Sequence, residues 1–459
     1  MDSEDKFKKV IGDWDVLALA FGAMIGWGWV VLAGTWITNA GSYGALVGFA
    51  VGGVAVVLIG LTYAELASAM PKTGGEHVYS HRAMGGLGSF VCTWAIIFGY
   101  VSVVAFEAVA LPTVVAELIP AYKQVYLYSF GGSEVYLTWA MLGSGAAALM
   151  TWVNIRGIQT CALVQKVVIL VILLGGIAFF AGAFTNGSSA NAEPLFVGGV
   201  GGIFSVLVMV PFLFVGFDVI PQAAEEINLP PKRIGSLLIV SVLLAVVFYM
   251  LVAISTGRAL DAAQLDAANI AAADAATAVL GSQWGGTLVI LAGIGGIITS
   301  WNAFLIGGSR AIYALAEARM LPAFLAKLHP EYRTPVNAIL LIGTISVFAP
   351  LLGRGALVWF VDAGGLGIVV AYAMVAVSFI LLRKNEPDMP RPYRAGKGPW
   401  VGYAALVLSV GLALLYLPWS PAALIWPVEW AIALAWTVLG AGFYIYARLV
   451  YGEEVMPAH

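Results

Sequence analysis

The sequence predicts an all-α polytopic membrane protein with about twelve transmembrane helices, of which the first and the sixth are interrupted. Three observations support this: the composition, a succession of long apolar segments, and helix-breaking residues inside two of those segments. Apolar residues make up 61% of the 459-residue chain, charged residues make up 10%, and the mean hydropathy is +0.94. Soluble domains are closer to half apolar and a quarter charged, so the excess apolar surface must face lipid.

Apolar segments of membrane-spanning length follow one another along the chain. A helix needs about 20 apolar residues to cross a bilayer, and windows of roughly 19 residues locate such segments. The predicted spans are residues 14–39, 43–69, 86–119, 135–153, 160–184, 202–225, 236–257, 283–316, 335–352, 355–383, 400–418 and 423–448. The polar stretches 185–194 and 258–277 are predicted to be external loops, the second with a short surface helix.

The basic residues predict the orientation. With both termini in the cytoplasm, the connections on that side carry all but three of the 22 lysines and arginines, the exceptions being Lys123, Arg258 and Arg354. Such a bias marks the cytoplasmic side, and it requires an even number of spans. The chain start, MDSEDKFKKVIGDW, has no cleavable signal pattern, so it is expected to remain as a cytoplasmic tail. The sequence therefore predicts a multi-pass protein of the cell (inner) membrane.

Charge, cysteines and histidines exclude several other classes. The net charge of −3 argues against nucleic acid as a partner. Cys92 and Cys161 both lie in apolar surroundings, so a disulfide framework is not supported. His77 and His81 have a zinc-compatible spacing with Glu76, but no third and fourth soft ligands are nearby. We therefore expect no metal and no cofactor.

Two spans contain helix breakers at mid-membrane depth. The first span includes AFGAMIGWGWVVLAG (20–34), with Gly26 and Gly28 at its centre, and the sixth includes VMVPFLFVGFDVIPQAAEEI (208–227). Paired interruptions five spans apart indicate two inverted five-helix repeats with a substrate site between them. Freed N–H groups would suit a carboxylate, and freed carbonyls would suit an ammonium group or another cation. The alternative is that the glycines only allow close helix packing.

Two acidic residues are predicted to lie at bilayer depth, Glu107 in the third span and Asp218 at the break in the sixth. An ionisable side chain at bilayer depth costs on the order of 2.5–3.5 kcal/mol, so a role in proton coupling or amine binding is the default hypothesis for both. The alternatives are a structural carboxylate capped by backbone N–H groups or, for Glu107, a position closer to the outer surface.

Several aromatic residues also fall mid-span, away from the interfaces where tryptophan usually lies. Trp27 is on the interrupted stretch itself, and Phe304 is one turn from Trp301. Aromatic faces can surround a cation or close over a pocket. We expect pocket contact for Trp27, and Trp301 and Phe304 are candidate substrate-binding residues. Core packing is the favoured explanation for Trp29 and is also the favoured alternative for Trp301.

Three blocks resemble the amino acid–polyamine–organocation permeases: YAELASAMPKTGGEHVYSHRAMG (63–85), PFLFVGFDVIPQAAEEINLPPKRI (211–234) and SRAIYALAEARMLPAFLAKLHPEYRTPVNAIL (309–340). The resemblance covers residues 13–385. It implies a LeuT-type 5+5 inverted repeat of ten helices, with repeats at 13–184 and 202–385, after a tail at 1–12. Residues 386–459 would then form two accessory helices and a cytoplasmic tail. It also implies secondary transport by alternating access, without ATP.

The resemblance also implies binding residues. The first-span motif of the family, which takes the substrate carboxylate, corresponds to Ile25, Gly26, Trp27 and Gly28. The sixth-span motif, which receives the amino group, corresponds to Phe212, Phe214, Gly216, Phe217 and Asp218. Two departures stand out, because Trp27 replaces a small residue and Ile172 occupies the position of a lysine found in many proton-coupled members.

Three functional classes are compatible with a polytopic membrane protein: a carrier, a channel and a membrane-embedded enzyme. A channel needs a continuous polar pore, and the polar residues here are sparse. A membrane-embedded enzyme needs a catalytic constellation, and none of the known signatures is present. The best reading is a transporter of a small amino acid, proton-coupled or exchanging, with a small organic amine or polyamine as the alternative substrate. Direction of transport and oligomeric state are left open.

Overall fold

The computed structural model of the protein describes residues 7–268, 270–420 and 423–452, except the side chains of Glu117, residues 158–162 and Val164. Lys6, the outermost parts of both predicted tails and the side chain of Cys161 therefore lie outside the described residues. Cys92 is a buried free cysteine.

The first part of the chain consists of helices joined by short connections and one β-hairpin. Its elements are α1 (Asp13–Met24), α2 (Gly28–Val31), α3 (Ala33–Ala40), α4 (Ser42–Ala69), α5 (Glu76–Leu118), β1 (Tyr126–Phe130), β2 (Ser133–Tyr136), α6 (Leu137–Ile155) and α7 (Ile158–Thr185). The hairpin is antiparallel, was not expected from the sequence, and connects α5 to α6.

The remainder of the described chain is also helical. Its elements are α8 (Gly199–Leu207), α9 (Val210–Phe214), α10 (Val219–Gln222), α11 (Pro231–Ala259), α12 (Ala262–Ala267), α13 (Ala271–Leu280), α14 (Gln283–Glu317), α15 (Val336–Phe348), α16 (Ala356–Asn385), α17 (Trp400–Leu414) and α18 (Val428–Tyr451).

Among the described residues, eight helical segments are long and apolar enough to cross a membrane, one of them the interrupted segment α8–α10. They are Ser42–Ala69, Glu76–Ala116, Gln165–Thr185, Gly199–Gln222, Pro231–Ala259, Gln283–Glu317, Ala356–Asn385 and Val428–Tyr451. The protein is therefore an all-α polytopic membrane protein, as predicted. The other predicted spans coincide with shorter or interrupted helices, namely α1–α3, α6, α15 and α17.

Local chemistry explains several helix ends and bends. The N–H of Gly12 donates to Oδ2 of Asp15 at 3.0 Å, which satisfies an amide at the start of α1. Pro231 stands at the first position of α11, where its missing N–H removes no helical bond. Within α5, Gly85 has φ +74, so the helix is kinked there. The predicted third span begins at residue 86, immediately after this kink.

The segment 258–277 differs from the sequence prediction. One short surface helix was expected there. The structure instead has two helices, α12 and α13, which occupy most of this segment, and six of the ten residues of α13 are buried. The alanine side chains of α13 allow this helix to pack closely against α14, α11 and α7. The expectation of a surface helix is wrong for α13, because an alanine-rich face carries little polarity to keep it in solvent.

The longest packing seams run along α5, which contacts α16 and α14, and along α4, which contacts α11. The peripheral helix α18 is attached by two indoles, since Nε1 of Trp94 donates to the carbonyl of Trp436 and Nε1 of Trp436 donates to the carbonyl of Trp94, both at 3.0 Å. The two rings stack at a centroid distance of 4.5 Å. This reciprocal pair, here called the Trp94–Trp436 pair, satisfies both indole N–H groups without water.

The described ends of the chain contact connections on the same side of the molecule, here called the proximal end. The amides of Val10 and Ile11 each donate to the carbonyl of Glu226 at 3.0 Å. The hydroxyl of Tyr451, at the end of α18, accepts a bond from the amide of Ala323. The opposite side, which carries the β-hairpin, is called the distal end.

Candidate substrate site

The first interruption separates α1 from α2. Helix α1 ends at Met24, and the amide of Ile25 still donates to the carbonyl of Phe21 at 3.0 Å. Within the described residues, the N–H groups of Gly26, Trp27 and Gly28 have no recorded backbone acceptor. Three successive amides are therefore available in the middle of an apolar segment, where unpaired polar groups are costly.

The second interruption separates α9 from α10. Gly216 has φ +136, a conformation that residues with a Cβ rarely adopt. Its amide donates to Oδ1 of Asp218 at 2.7 Å instead of to the carbonyl four residues earlier. In the described part of the chain, the carbonyls of residues 212–215 consequently have no recorded backbone donor. Freed acceptors on this segment thus complement the freed donors on the first.

The two interruptions touch each other. A Cβ on Gly216 would lie 2.6 Å from the Cβ of Ala23, and a Cβ on Gly28 would lie 2.6 Å from Cδ2 of Leu213. Gly216 also has a positive φ, and its added Cβ would lie 3.0 Å from backbone atoms of Ala23 and Met24, so glycine is required there. A side chain at position 28, by contrast, would displace the end of the Leu213 side chain. The interrupted stretches were predicted from glycine and proline positions, and the structure brings them into direct contact.

A small cavity lies between the interruptions, with a volume of about 20 Å³. Its described lining consists of Ala23, Met24, Gly26, Trp27, Gly28, Val103, Phe106, Glu107, Phe212, Leu213, Tyr249, Ser300 and Phe304. Such a volume holds about one water molecule, whereas ligand pockets are usually roughly 300 Å³ or larger. A substrate of amino acid size therefore requires side chains of this lining to move apart.

Glu107 provides the carboxyl group of the cavity. Its side chain is 1% exposed, its Oε1 lies beside Ser300, and its Oε2 is buried without a recorded partner. A Cβ on Gly26 would lie 2.9 Å from Oε1 of Glu107. The carboxyl group is thus close to the unpaired amides, where it can accept a proton or bind an amine.

Aromatic side chains form much of the remaining wall. Phe106 and Phe212 pack edge to face with centroids 5.4 Å apart. The hydroxyl of Tyr249 donates to the carbonyl of Met24 at 2.8 Å and so fixes the last turn of α1 beside the cavity. Trp27 is 2% exposed. Its ring faces Gly293 on α14, where a Cβ would overlap it.

The other predicted site residues lie outside the described lining of the cavity: Ile25, Phe214, Gly216, Phe217, Asp218 and Trp301. Oδ2 of Asp218 accepts from the hydroxyl of Tyr100 at 2.8 Å, so both of its oxygens have partners within the protein. Phe217 packs against Tyr63 and Tyr372. Trp301 is buried on α14.

The two other predicted site residues outside the lining, Phe214 and Ile25, also have defined neighbours. Phe214 packs against Tyr249 with centroids 5.0 Å apart. The carbonyl of Ile25 lies close to Gly296, where a Cβ would be 2.6 Å from that oxygen. In this conformation the residues outside the lining support the interruptions rather than face the cavity.

Sequence reasoning missed several buried polar groups near the site. Tyr249 and Ser300 line the cavity, and a tyrosine in the middle of an apolar span is a signal that could have identified the first. Glu76 was considered only as a metal ligand. It is fully buried, hydrogen-bonded by the side-chain amide of Gln222, and close enough to Asp218 for the two carboxyl groups to interact electrostatically.

A closed layer separates the cavity from the proximal end. Arg310 on α14 forms a buried ion pair with Glu226, with Nε and Oε1 2.8 Å apart. Glu226 also accepts the amides of Val10 and Ile11 through its carbonyl, and Phe7 packs on Tyr313. The segment before α1 is thus held against the connection that follows α10.

A comparison with protein families matches residues 11–447 to the family described as amino acid permease. The chain is 28% identical to the branched-chain amino acid permease of Bacillus subtilis (strain 168), over 97% of this chain and 94% of that protein. It is 23% identical to the methylthioribose transporter of the same organism, over 96% and 94%, respectively. It is 26% identical to the aspartate-proton symporter of that organism, over 86% and 76%.

Proposed function

The chain belongs to the amino acid permease family, within the amino acid–polyamine–organocation superfamily, and is a secondary transporter and not an enzyme; we propose that it moves a small amino acid by alternating access through the cavity between its two interrupted helices. The observation that carries the proposal is that residues with unpaired amides, Gly26–Gly28, and residues with unpaired carbonyls, Phe212 and Leu213, line one cavity.

The proposed binding mode follows from this polarity. The substrate carboxylate accepts hydrogen bonds from the amides of Gly26, Trp27 and Gly28, at the start of α2. The substrate ammonium donates to the carbonyls that precede Gly216 and to the free oxygen of Glu107. Hydrogen bonds to charged groups contribute about 1.5–3 kcal/mol each, so this arrangement favours a zwitterion over a neutral solute.

The wall of the cavity favours a small or apolar substrate side chain. Trp27, Phe106, Phe212 and Phe304 supply aromatic surface, and Glu107 is the only acidic side chain in the described lining. A cationic side chain would need a second acidic partner, and an acidic one would need a basic partner. We therefore propose a neutral amino acid, in keeping with the relative named as a branched-chain amino acid permease.

Proton coupling through Glu107 is the proposed driving mechanism, with exchange as the alternative. The position equivalent to the family lysine is Ile172, which is fully buried and apolar, so a relay through that position is not available. Asp218 is a second proposed proton carrier, although its two oxygens already accept bonds from Gly216 and Tyr100.

We further propose twelve spans arranged as a LeuT-type 5+5 repeat, with repeats at 13–184 and 202–385 and accessory helices within 386–459. The proximal end would face the cytoplasm, because nearly all lysines and arginines fall there. The support for the repeat is that α1–α2 and α9–α10 are interrupted at comparable depth and meet at the cavity.

A small organic amine is the second candidate substrate. The observation that favours it is Glu107, whose buried Oε2 has no recorded partner and would suit an ammonium group. The relative named as a methylthioribose transporter indicates that substrates of this family extend beyond amino acids.

The test is a thermal-unfolding screen of the purified protein against amino acids and amines, followed by counterflow in proteoliposomes. A ligand at about 100 times its Kd stabilises the native state by about 2.7 kcal/mol, which raises the apparent Tm. We expect a neutral amino acid to raise the Tm and to drive saturable counterflow. Stabilisation by amines alone would select the second candidate, and flux without saturation would contradict a carrier.

A further inference from the structure

A second, larger cavity lies at the proximal end, where α16 ends and α17 begins. It has a volume of about 320 Å³, and four basic side chains line it: Arg383, Lys384, Arg391 and Arg394. We propose that this basic cavity binds the phosphate-bearing headgroup of an anionic phospholipid. The inference is independent of the substrate site and of the identity of the transported solute.

Charge in the cavity is strongly unbalanced. One buried carboxylate, Glu65 on α4, pairs with both Arg383 and Arg391. The nearby Glu386 is already bonded to Arg82 through two oxygens. Four cationic side chains therefore line the cavity beside one carboxylate, which pairs with only two of them. This leaves an excess of positive charge for an external anion.

The two inner arginines have structural roles that leave them little freedom. Arg383 donates to Glu65 and to the carbonyls of Ala395 and Gly396. Arg391 donates to the carbonyls of Leu382 and Glu386 at the end of α16. Burial, together with repulsion from Arg383 and Arg394, lowers the pKa of Arg391 despite the attraction of Glu65. These residues build the floor of the cavity and contribute its field.

The outer two cations are placed to contact a ligand. Lys384 and Arg394 are exposed at the rim, and no hydrogen bond or ion pair of either side chain is recorded in the described part of the chain. Arg394 offers a planar fork that matches phosphate oxygens, and Lys384 offers a point charge. The hydroxyl of Tyr403, which also lines the cavity, can donate to the same group.

The position in the fold selects a lipid over a free anion. Trp400 and Tyr403, at the first turn of α17, are 57% and 54% exposed, as is typical of aromatic residues at the headgroup level of a membrane. The cavity lining also includes the apolar Ile380, so the site continues from charged to apolar surface as a phospholipid does. Basic cavities at this depth are suited to anionic headgroups.

The test uses the purified full-length protein in detergent, with phosphatidylglycerol, phosphatidylcholine or inorganic phosphate added. Three proteins are compared: the parent, the double variant Lys384→Gln/Arg394→Gln, and the control Lys232→Gln/Lys327→Gln, which removes two exposed charges elsewhere at the proximal end. The readouts are the apparent Tm and the number of retained lipids in native mass spectrometry.

We expect phosphatidylglycerol to raise the Tm of the parent and of the control more than phosphatidylcholine does. The double variant Lys384→Gln/Arg394→Gln, here called the rim variant, should lose this difference. Its apparent affinity for phosphatidylglycerol should fall roughly fivefold for each charge removed. The charge-retaining variant Lys384→Arg/Arg394→Lys should recover most of it, and a Tm of the rim variant without added lipid that equals the parent's shows that the rim variant is folded. Equal responses of the parent and the rim variant would overturn the proposal, as would an equal stabilisation by inorganic phosphate.

Discussion

A single methyl group distinguishes glycine from alanine, and at position 26 the surroundings leave no space for it. The nearest atom to a Cβ there is Oε1 of Glu107, at 2.9 Å, followed by Oγ of Ser300 at 3.3 Å. Both neighbours belong to the cavity. A side chain at this position would therefore displace the proposed proton acceptor and cover the amides proposed to bind the substrate carboxylate.

We predict that Gly26→Ala lowers uptake by roughly tenfold to a hundredfold, because the loss of one charge-assisted hydrogen bond costs about 1.5–3 kcal/mol. The measurement is initial uptake in proteoliposomes together with the apparent Tm. Gly145→Ala is the matched control, since no atom lies within 4 Å of a Cβ at that exposed position. Normal uptake by Gly26→Ala would refute the backbone binding site.

For Glu107 we predict that Glu107→Gln removes the dependence of uptake on an imposed proton gradient but preserves exchange of internal for external substrate. The amide has the same shape, yet it cannot take up a proton. The measurement compares gradient-driven uptake with counterflow, and Glu134→Gln in the exposed hairpin serves as control. An unchanged response to the gradient would remove Glu107 as the proton carrier.

At the residue scale, the sequence located the glycines and buried acids but not their partners. Gly26, Trp27, Gly28, Phe212 and Phe304 were predicted to bind substrate and do line the cavity. Whether a side chain faces the cavity depends on the rotation of each interrupted segment, which is determined by distant contacts. The Tyr249–Met24 hydrogen bond, which spans 225 positions, is one such contact.

At the scale of elements, Asp218 acts as a local substitute for helical hydrogen bonding. Its Oδ1 takes the amide of Gly216 and its Oδ2 takes the hydroxyl of Tyr100, so one carboxylate links the second interruption to α5. The bent conformation is therefore held by the protein itself, before any substrate is present. Pre-organisation of this kind reduces the ordering that binding requires.

We predict that Asp218→Asn and Tyr100→Phe each destabilise the protein by about 1.5–3 kcal/mol and that their effects are not additive, because asparagine has one acceptor oxygen for the two donors Gly216 and Tyr100 and both changes therefore weaken the same pair of bonds. Thermal unfolding of the two single variants and the double variant measures this coupling. Tyr446→Phe, at an exposed tyrosine, controls for loss of a hydroxyl. Fully additive effects would show that the pair does not hold the interruption.

Element boundaries were predictable where the chain carries clear signals. The apolar pattern placed α4, α7, α14 and α16 to within a few residues, since composition alone decides which segments enter lipid. It failed for the first turns of α5, because the polar residues after Gly75 are buried by neighbouring helices. The hairpin β1–β2 was missed because a single polar loop shows little periodicity.

At the scale of the whole molecule, we propose that the buried ion pair between Arg310 and Glu226 contributes to closure of the proximal end. Arg310 and Glu226 are 1% and 4% exposed, and the backbone of Glu226 also holds the segment before α1. Alternating access requires this contact to break and reform, so its strength contributes to the balance between closed and open states.

We predict that Arg310→Met destabilises the proximal-closed state by about 3–5 kcal/mol, because it leaves Glu226 buried without a partner. The double variant Arg310→Met/Glu226→Gln should be less affected. Neutralising the exposed pair Arg82–Glu386 should cost only about 0–1 kcal/mol. The measurement is thiol labelling of Ala23→Cys from the proximal side, in a Cys92→Ala/Cys161→Ala background, where faster labelling reports opening. Unchanged labelling in Arg310→Met would exclude this pair as a gate.

The class of polytopic membrane protein was predictable from the sequence because surface that faces lipid must be apolar, which shows in the composition. The multi-pass helical fold confirms this predicted class. The enclosure of the site was not predictable. It depends on contacts between residues such as Arg310 and Glu226, 84 positions apart, which leave no local pattern.

The Trp94–Trp436 pair bears on how motion in this molecule can be observed. Two indoles that exchange hydrogen bonds and stack face to face resist sliding, because either helix would lose both bonds at once. We therefore expect α18 to move together with α5. A spectroscopic label on the exposed side of α18 would then report the position of α5, against which displacements of α1 and α10 during turnover can be measured.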